Sequence, residues 1–402
     1  MKKFNIVFIF LLLFCACTAQ KTRQDVLVKS GFDFAESQIG YALSSIEKAK
    51  ETTDPKSVIP RTVNADGRIQ LVPVGDWISG FFPGELWYLY EYTSAPEWKA
   101  VAEKYTDYLE TLQYYKGDHD IGFRMFCSYG NALRLTGNEK YKEILLHSAQ
   151  SLMTRYNPQM GLIRSWDFNK DRWQYPVIID NMMNLELLFW AGKESGDSAF
   201  YKAAVSHADK TLANHFRTDN SSYHVVDYDT ITGAMNLRCT HQGYADESAW
   251  ARGQAWGAYG FTVCYRETKN PVYLQKAEDI IAFIFNHPNL PADLIPYWDY
   301  NAPNIPDEPR DVSAATVVAS ALYELYHYNP AKAEQYKKWA DTILESLNKN
   351  YRAKAEGDGG FILSHSVGDK RTNSEVDVPI VYADYYFLEA LLRKQQLEKN
   401  LQ

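Results

Sequence analysis

Two aspartates stand where acid–base chemistry would need them. Asp120 lies in Gly117-Asp118-His119-Asp120-Ile121-Gly122-Phe123, and Asp180 follows the apolar run Val177-Ile178-Ile179 and precedes Asn181-Met182-Met183-Asn184. An acid set among apolar neighbours is expected to be partly buried. Burial raises a carboxyl pKa, and a second carboxylate nearby raises one member of the pair further. A helix N-terminus pulls the other way and favours the ionised form. A proton-donating aspartate at such a place therefore needs burial and its neighbour to win. Further acids stand at Asp246-Glu247, Asp311 and Asp384. The plain alternative for each is N-capping, because an Asp carboxylate accepts from the free N–H groups of a first helical turn.

The segment densest in such residues runs from Thr240 to Trp256 (THQGYADESAWARGQAW). Arg252 and Trp256 are four apart and share a helix face. With His241 and Gln242 from the preceding loop they would present a cation, an aromatic platform and amide donors together, which is what an acidic sugar requires. The alternative makes Trp250 and Trp256 core residues and Arg252 a structural ion-pair partner. Trp77 (Gly75-Asp76-Trp77-Ile78-Ser79-Gly80) and Trp166 (Arg164-Ser165-Trp166-Asp167) fall in loops and read equally as stacking walls or loop anchors. His224, between Tyr223 and Val225, reads as structural when taken alone. There is no His-Glu-x-x-His or Cys-x-x-Cys pattern, no phosphate-cradling Gly loop and no Gly-x-Ser-x-Gly elbow. Neither a metal nor a cofactor is expected. Carboxylate chemistry in an aromatic pocket points to carbohydrate.

The elements that must position these groups are helices. Five segments open on an aromatic residue, at Trp98, Tyr141, Tyr201, Tyr273 and Tyr336, and continue with helical periodicity. Tyr141, Leu145, Ala149, Leu152 and Tyr156 fall on one face, as do Tyr336, Ala340, Ile343, Leu347 and Tyr351. A sixth, less regular copy occupies Phe34 to Lys50. After each comes a second helix of different character, starting near Gly80, Asp120, Asp180, Glu247, Asp311 and Asp384 and richer in small and aromatic residues. The first type carries more Lys and Glu, as an outer ring would. Six such pairs predict an all-α fold, a closed (α/α)6 barrel of six helix hairpins; an open solenoid of hairpins is the alternative. In a barrel all inner-helix N-termini share one rim, and the loops leading into them build a pocket.

Composition bounds the rest. Of 402 residues, 46% are hydrophobic and 23% charged, as in an ordinary globular chain. A net charge of −8 without basic runs argues against nucleic acid as a partner. The aromatic share of 14%, with 29 Tyr and 10 Trp, supplies rings for packing or stacking. Lys2, Lys3 and the apolar stretch Ile6 to Phe14 read as a signal segment over residues 1–19. Cleavage fits after Ala19, or before Cys17, where Phe14-Cys15-Ala16-Cys17 resembles a bacterial lipoprotein signal. The expectation is an exported protein, periplasmic or anchored by a lipid at Cys17, monomeric or weakly self-associating. A single catalytic domain is expected over 25–397. Cys127, Cys239 and Cys264 are scattered and make no disulfide framework.

At these residues the chain resembles the unsaturated glucuronyl hydrolases of glycoside hydrolase family 88, whose fold is an (α/α)6 barrel. The resemblance rests on WISGFFPGELWYLYE (77–91), HDIGF (119–123), Ile179 to Asn184, THQGYADESAWARGQAWGAYG (240–260) and ADYYFLEALLR (383–393). The long fourth segment is the most specific. The resemblance implies that Asp180 is the general acid/base and Asp120 its essential companion. It implies substrate contacts from Trp77, Trp166, His224, His241, Gln242, Arg252 and Trp256. The substrate implied is an oligosaccharide left by a polysaccharide lyase, with a terminal 4,5-unsaturated uronic acid. The stretch Ser364 to Lys370 loosely matches the Ser and Lys residues of relatives that act on sulfated disaccharides. Three other readings compete: an unsaturated rhamnogalacturonyl hydrolase acting on pectin fragments, an inverting glycosidase of the same barrel class, and a non-catalytic glycan-binding lipoprotein.

Overall fold

A computed structural model of the chain describes residues 26–401. The expected signal segment 1–19 and Cys17 lie outside the described residues.

The inner helices are α2 (Phe81–Thr93), a π-helix (Gly122–Gly130) running into α4 (Asn131–Thr136), α6 (Asn181–Ser195), α8 (Ala251–Thr268), α10 (Val312–Leu325) and α12 (Val381–Asn400). Each packs on the next, and α12 returns to pack on α2, so the ring is closed and the solenoid alternative falls. The outer helices are α1 (Phe4–Lys50, described from Val26), α3 (Pro96–Asp107), α5 (Glu139–Met153), α7 (Ser198–Asn214), α9 (Pro271–Asn286) and α11 (Ala333–Asn350).

The two rings differ as their sequences do. On α11 the buried face is Tyr336, Ala340, Ile343, Leu344 and Leu347, an amphipathic stripe. On α10 every residue from Val312 to Tyr323 is buried, because this helix is covered on all sides. Small residues allow that crowding: a Cβ on Gly260 of α8 would sit 2.4 Å from Cβ of Met182 on α6. Side-chain caps fix several starts. Asn138, Asp197, Asn270 and Asp311 accept from the N–H groups of Lys140, Ala199, Val272 and Ser313.

Three boundaries depart from the expected ones. α8 starts at Ala251, four residues after Glu247, because Ala245, Ser248 and Ala249 are engaged in turn contacts with one another and with Asp299 and Asn301. α12 starts at Val381, which puts Asp384 inside its first turn. α5 ends at Met153, and Tyr156 instead opens a strand.

Beyond the expected helices, the connecting loops carry four small antiparallel sheets. They are β1 (Ser57–Val63) with β2 (Ile69–Pro73), β3 (Tyr156–Asn157) with β4 (Leu162–Ile163), β5 (Pro176–Ile178) with β6 (Val225–Tyr228) and β7 (Met235–Cys239), and β8 (Ser366–Asp369) with β9 (Ser374–Val378). Most of the strands have five residues or fewer, and the seven-residue β1 is interrupted by register shifts on either side of Ile59-Pro60, so no clean alternation shows; β5 and the β8–β9 hairpin nevertheless shape the rim.

Candidate active site

The loops before the inner-helix N-termini enclose a cavity of about 620 Å³. Seven of the nine expected site residues line it: Asp120, Asp180, Trp77, Trp166, His241, Gln242 and Arg252.

Asp180 arrives there by a strand-to-helix turn. The run Pro176-Val177-Ile178 is the fully buried strand β5, and Ile179 continues its pairing by donating its N–H to the His224 carbonyl (3.0 Å). Asp180 then occupies the N-cap position of α6, but its side chain caps nothing. The capping alternative therefore holds for Asp311 and not for Asp180. The Asp180 carboxyl is 12% exposed, and its Oδ2 has no hydrogen-bond partner. Burial pushes its pKa up to about 7; the Arg252 charge, its own backbone N–H and the Trp256 indole N–H pull weakly against this. Burial thus outweighs the helix N-terminus.

Asp120 sits immediately ahead of the π-helix, whose Arg124 N–H donates to the Asp120 carbonyl (3.0 Å). π-helical turns recur at functional sites. Burial raises the Asp120 pKa well above the usual range, and the charges of Asp118 and Asp180 add to the rise. His119 Nε2 lies 3.4 Å from Asp120 Oδ1, and burial lowers this imidazole's pKa to about 4, so it is neutral.

The two acidic segments are tied together behind the cavity. Buried Ser165 accepts the His119 N–H with its carbonyl (3.0 Å) and the Ile178 N–H with its hydroxyl (3.0 Å). Asn184 of α6 accepts the Phe123 N–H (2.9 Å). That approach leaves Gly122 no room for a Cβ, which would lie 2.6 Å from Asn184 Oδ1.

Arg252 stands both at the cavity and in a structural ion pair. It lines the cavity, and it pairs with Asp311 (3.1 Å) and donates to the carbonyls of Val367 and of Gly368 (2.7 Å). Its guanidinium lies between the rings of Trp250 and Tyr382, at 4.6 and 5.2 Å. Gln242 also donates to the Gly368 carbonyl (3.1 Å). The stretch Ser364 to Lys370 therefore serves the site through the backbone of β8.

Aromatic rings form two walls. Trp77 packs against Phe81, Phe123 and Tyr382. Trp166 stacks on Phe168 at 4.8 Å, with His241 5.4 Å from Trp166.

His224 and Trp256 correct the expectation of direct contact. Neither lines the cavity; the His224 side chain and Trp256 have no exposed surface, so a ligand cannot reach them. Both stand behind Asp180. His224 Nδ1 accepts the N–H groups of His241 and Gln242, both at 3.1 Å, which assigns the proton to Nε2. That Nε2 faces Asp180 Oδ2 at 3.6 Å. The imidazole fixes the bend that presents His241 and Gln242, and burial keeps it neutral.

Sequence reasoning missed Asp118, Arg124, Tyr115, Phe168 and Asp369, which also line the cavity. Asp118 was visible as the second acid of Asp118-His119-Asp120. Arg124 carried no signal, because a cation inside an inner helix reads as a surface residue until its partner is known. Among the described residues, no cluster of His, Cys, Asp and Glu is placed to hold a metal ion. None of their helices is long and apolar enough to cross a membrane.

No family model matches the chain. Individual proteins do. It is 48% identical over 369 residues to an unsaturated glucuronyl hydrolase of Formosa agariphila, covering 90% of this chain and 92% of that protein. It is 31% identical to an unsaturated chondroitin disaccharide hydrolase of Streptococcus pneumoniae, covering 89% and 91%. The solved structure of an unsaturated glucuronyl hydrolase specific for heparin superposes with a TM-score of 0.85 at 49% identity, covering 91% of this chain and 98% of that one. Agreement over nearly the full length in both sequence and fold leaves one assignment: the chain belongs to the unsaturated glucuronyl hydrolases, glycoside hydrolase family 88.

Proposed function

We propose that this protein removes the terminal 4,5-unsaturated uronic acid from glycosaminoglycan disaccharides by hydrating its double bond, with Asp180 as the acid and then the base. The observation that carries this reading is the Asp180 carboxyl, buried at a strand-to-helix turn, with its Oδ2 free of any hydrogen-bond partner and a pKa near 7. Such a group holds a proton at neutral pH and can give it up.

In the substrate, C4 and C5 form a vinyl ether with the ring oxygen. Asp180 delivers its proton to C4, and positive charge develops at C5 and the ring oxygen. Asp120 faces that charge from the other acidic segment. Water then adds to C5 and loses a proton to the anionic Asp180, which restores the acid. The product at C5 is a hemiketal. It opens to a ketone, leaving C1 as a hemiacetal that expels the second sugar as an alcohol. The scissile bond is never protonated directly, so the carboxylate-separation rule of ordinary glycosidases does not apply. Arg252 and Gln242 supply a cation and an amide toward the uronate carboxylate, and Trp77, Trp166 and His241 supply walls for the sugar faces. His224 and Trp256 act through Asp180.

The relatives' names support a glycosaminoglycan source, heparin-type in one and chondroitin-type in another. The segment Lys2 to Cys17 supports export, with release into the periplasm or retention through a lipid on Cys17; Cys17→Ser separates the two by abolishing palmitate labelling. The test of the activity is ultraviolet absorbance. Purified protein mixed with lyase-generated unsaturated heparin or chondroitin disaccharides is expected to erase the absorbance of the conjugated double bond. Loss only with unsaturated rhamnogalacturonan would move the substrate to pectin. No loss with any of them would contradict the mechanism.

A further inference from the structure

Beside Asp120 lies an ion pair that the hydration mechanism does not use. Arg124, on the first turn of the π-helix, grips Asp118 with both arms: Nη1 donates to Oδ1 at 2.6 Å and Nη2 to Oδ2 at 2.8 Å. Two parallel bonds of this kind fix orientation as well as distance. The same guanidinium donates from Nε to the Asp76 carbonyl (3.1 Å) and from Nη2 to the Gly75 carbonyl (2.9 Å), and it lies 4.7 Å from the centre of the Tyr115 ring. Its side chain is 2% exposed. Asp118 in turn accepts the backbone N–H of Asp120 (2.9 Å) and the Tyr115 hydroxyl (3.2 Å). One cation therefore fastens the loop carrying Asp120 to the loop carrying Trp77.

We propose that Arg124 and Asp118 are positioning residues for the hydration reaction: the fork fixes Asp120 against Asp180, and the balance of its two charges governs the proton those two acids hold. The proposal rests on the roles assigned above to Asp180 and Asp120.

Asp76, Asp167, Asp369 and His241 line the same cavity, but the groups that act most strongly on the two acids are nearer. Asp118, His119 and Tyr115 face Asp120 from its own loop, and Arg124 faces it from the π-helix. From α6 come Asp180 and the neutral Asn184. Around Asp180 stand Arg252 of α8 and the neutral His224. His119 is neutral, and Tyr115 is raised above its usual range by burial, so it is neutral as well. The mobile electrostatic balance therefore lies between Asp118, Arg124 and Arg252. Removing the Asp118 charge leaves Arg124 to draw the proton off. Removing the Arg124 charge leaves Asp118 to hold it on. The two halves of one ion pair thus act in opposite directions, which a purely structural pair would not do.

The test uses the full-length protein and the double-bond absorbance assay across pH. Asp118→Asn is expected to move the alkaline limb of kcat/KM down by about one pH unit, and Arg124→Gln to move it up by about one. Both lower kcat about tenfold or more through loss of the fork. Arg124→Lys restores the wild-type midpoint but not kcat, because a lysine returns the charge without the two-pronged grip. Thermal melts identify folded variants; if Arg124→Gln does not fold, Asp118→Asn and Arg124→Lys still decide the matter. A carboxyl ¹³C titration of the same variants reads the same shifts without substrate. Inactivity of the wild-type protein would therefore sink the hydrolase reading while leaving this one decidable. Unchanged midpoints, or midpoints that move the same way in Asp118→Asn and Arg124→Gln, would overturn it.

Discussion

The two ends of the barrel bury carboxyl groups with opposite outcomes. At the rim, burial pushes Asp180 up to about 7, and the Arg252 charge does not offset it. At the far end, where the inner helices finish, Glu324 is buried too, yet its pKa lies below the usual range. Burial raises it, but Arg266 and Arg393 outweigh burial. Both donate to it, Arg266 at 3.2 Å and Arg393 at 2.8 Å. Arg252, by contrast, spends its hydrogen bonds on Asp311 and two carbonyls and makes none to Asp180. Between Asp180 and Glu324 the difference lies in how many cations commit to the acid: Glu324 accepts from two, whereas Glu186, which accepts from Arg266 alone, is still raised by burial. One end holds a proton ready for transfer, and the other fastens helices α8, α10 and α12 together.

The largest effect that separates the two ends is on turnover. Asp180→Asn removes the proton donor and is expected to lower kcat on the order of ten-thousandfold while the disaccharide still binds, measured by absorbance kinetics and calorimetric titration. Arg393→Met breaks the far end instead. It leaves Glu324 and Glu389 short of a cation and should destabilise the fold by about 3 kcal/mol in urea unfolding, with kcat per folded molecule unchanged.

The pH dependence of stability sharpens the contrast. Asp180 holds its proton more tightly folded than unfolded, so its contribution is present at low pH and is lost as pH rises from about 4 to about 7. Glu324 binds its proton less tightly folded, so its contribution is present at neutral pH and lost as pH falls. Asp180→Asn should therefore flatten a decline in stability between pH 4 and 7, and Glu324→Gln should flatten a rise in the acid range. Urea midpoints measured across pH check both signs, and equal signs would break the comparison. The smallest effect is at the aromatic wall. Phe168→Ala removes one face of the Trp166 stack and should raise KM roughly fivefold, about 1 kcal/mol, with kcat little changed.

The barrel was legible because its outer helices announce themselves. Tyr141, Tyr273 and Tyr336 each open an amphipathic turn, and the buried faces of α5 and α11 follow the spacing in the chain. Asp180 was legible because a buried strand read as an apolar run and ended in an acid. The rest had no local signature. The fork between Arg124 and Asp118 joins a loop to a π-helix, and the i→i+5 geometry leaves no mark in side-chain spacing. That His224 and Trp256 stand behind Asp180 and do not line the cavity is revealed only by packing. The two-residue strands β3 and β4 pair locally, Tyr156 with Ile163 and Asn157 with Leu162, and are too short to show a period.

Asp180 carries a proton at neutral pH in this mechanism, and a titration reads it directly. Protein labelled with ¹³C at the aspartate carboxyl carbons, with the Asp180 resonance assigned by its loss in Asp180→Asn, would be followed by NMR across pH. A midpoint near 7 is the expected result. A midpoint at or below about 4, the range of an ordinary exposed aspartate, would contradict the account.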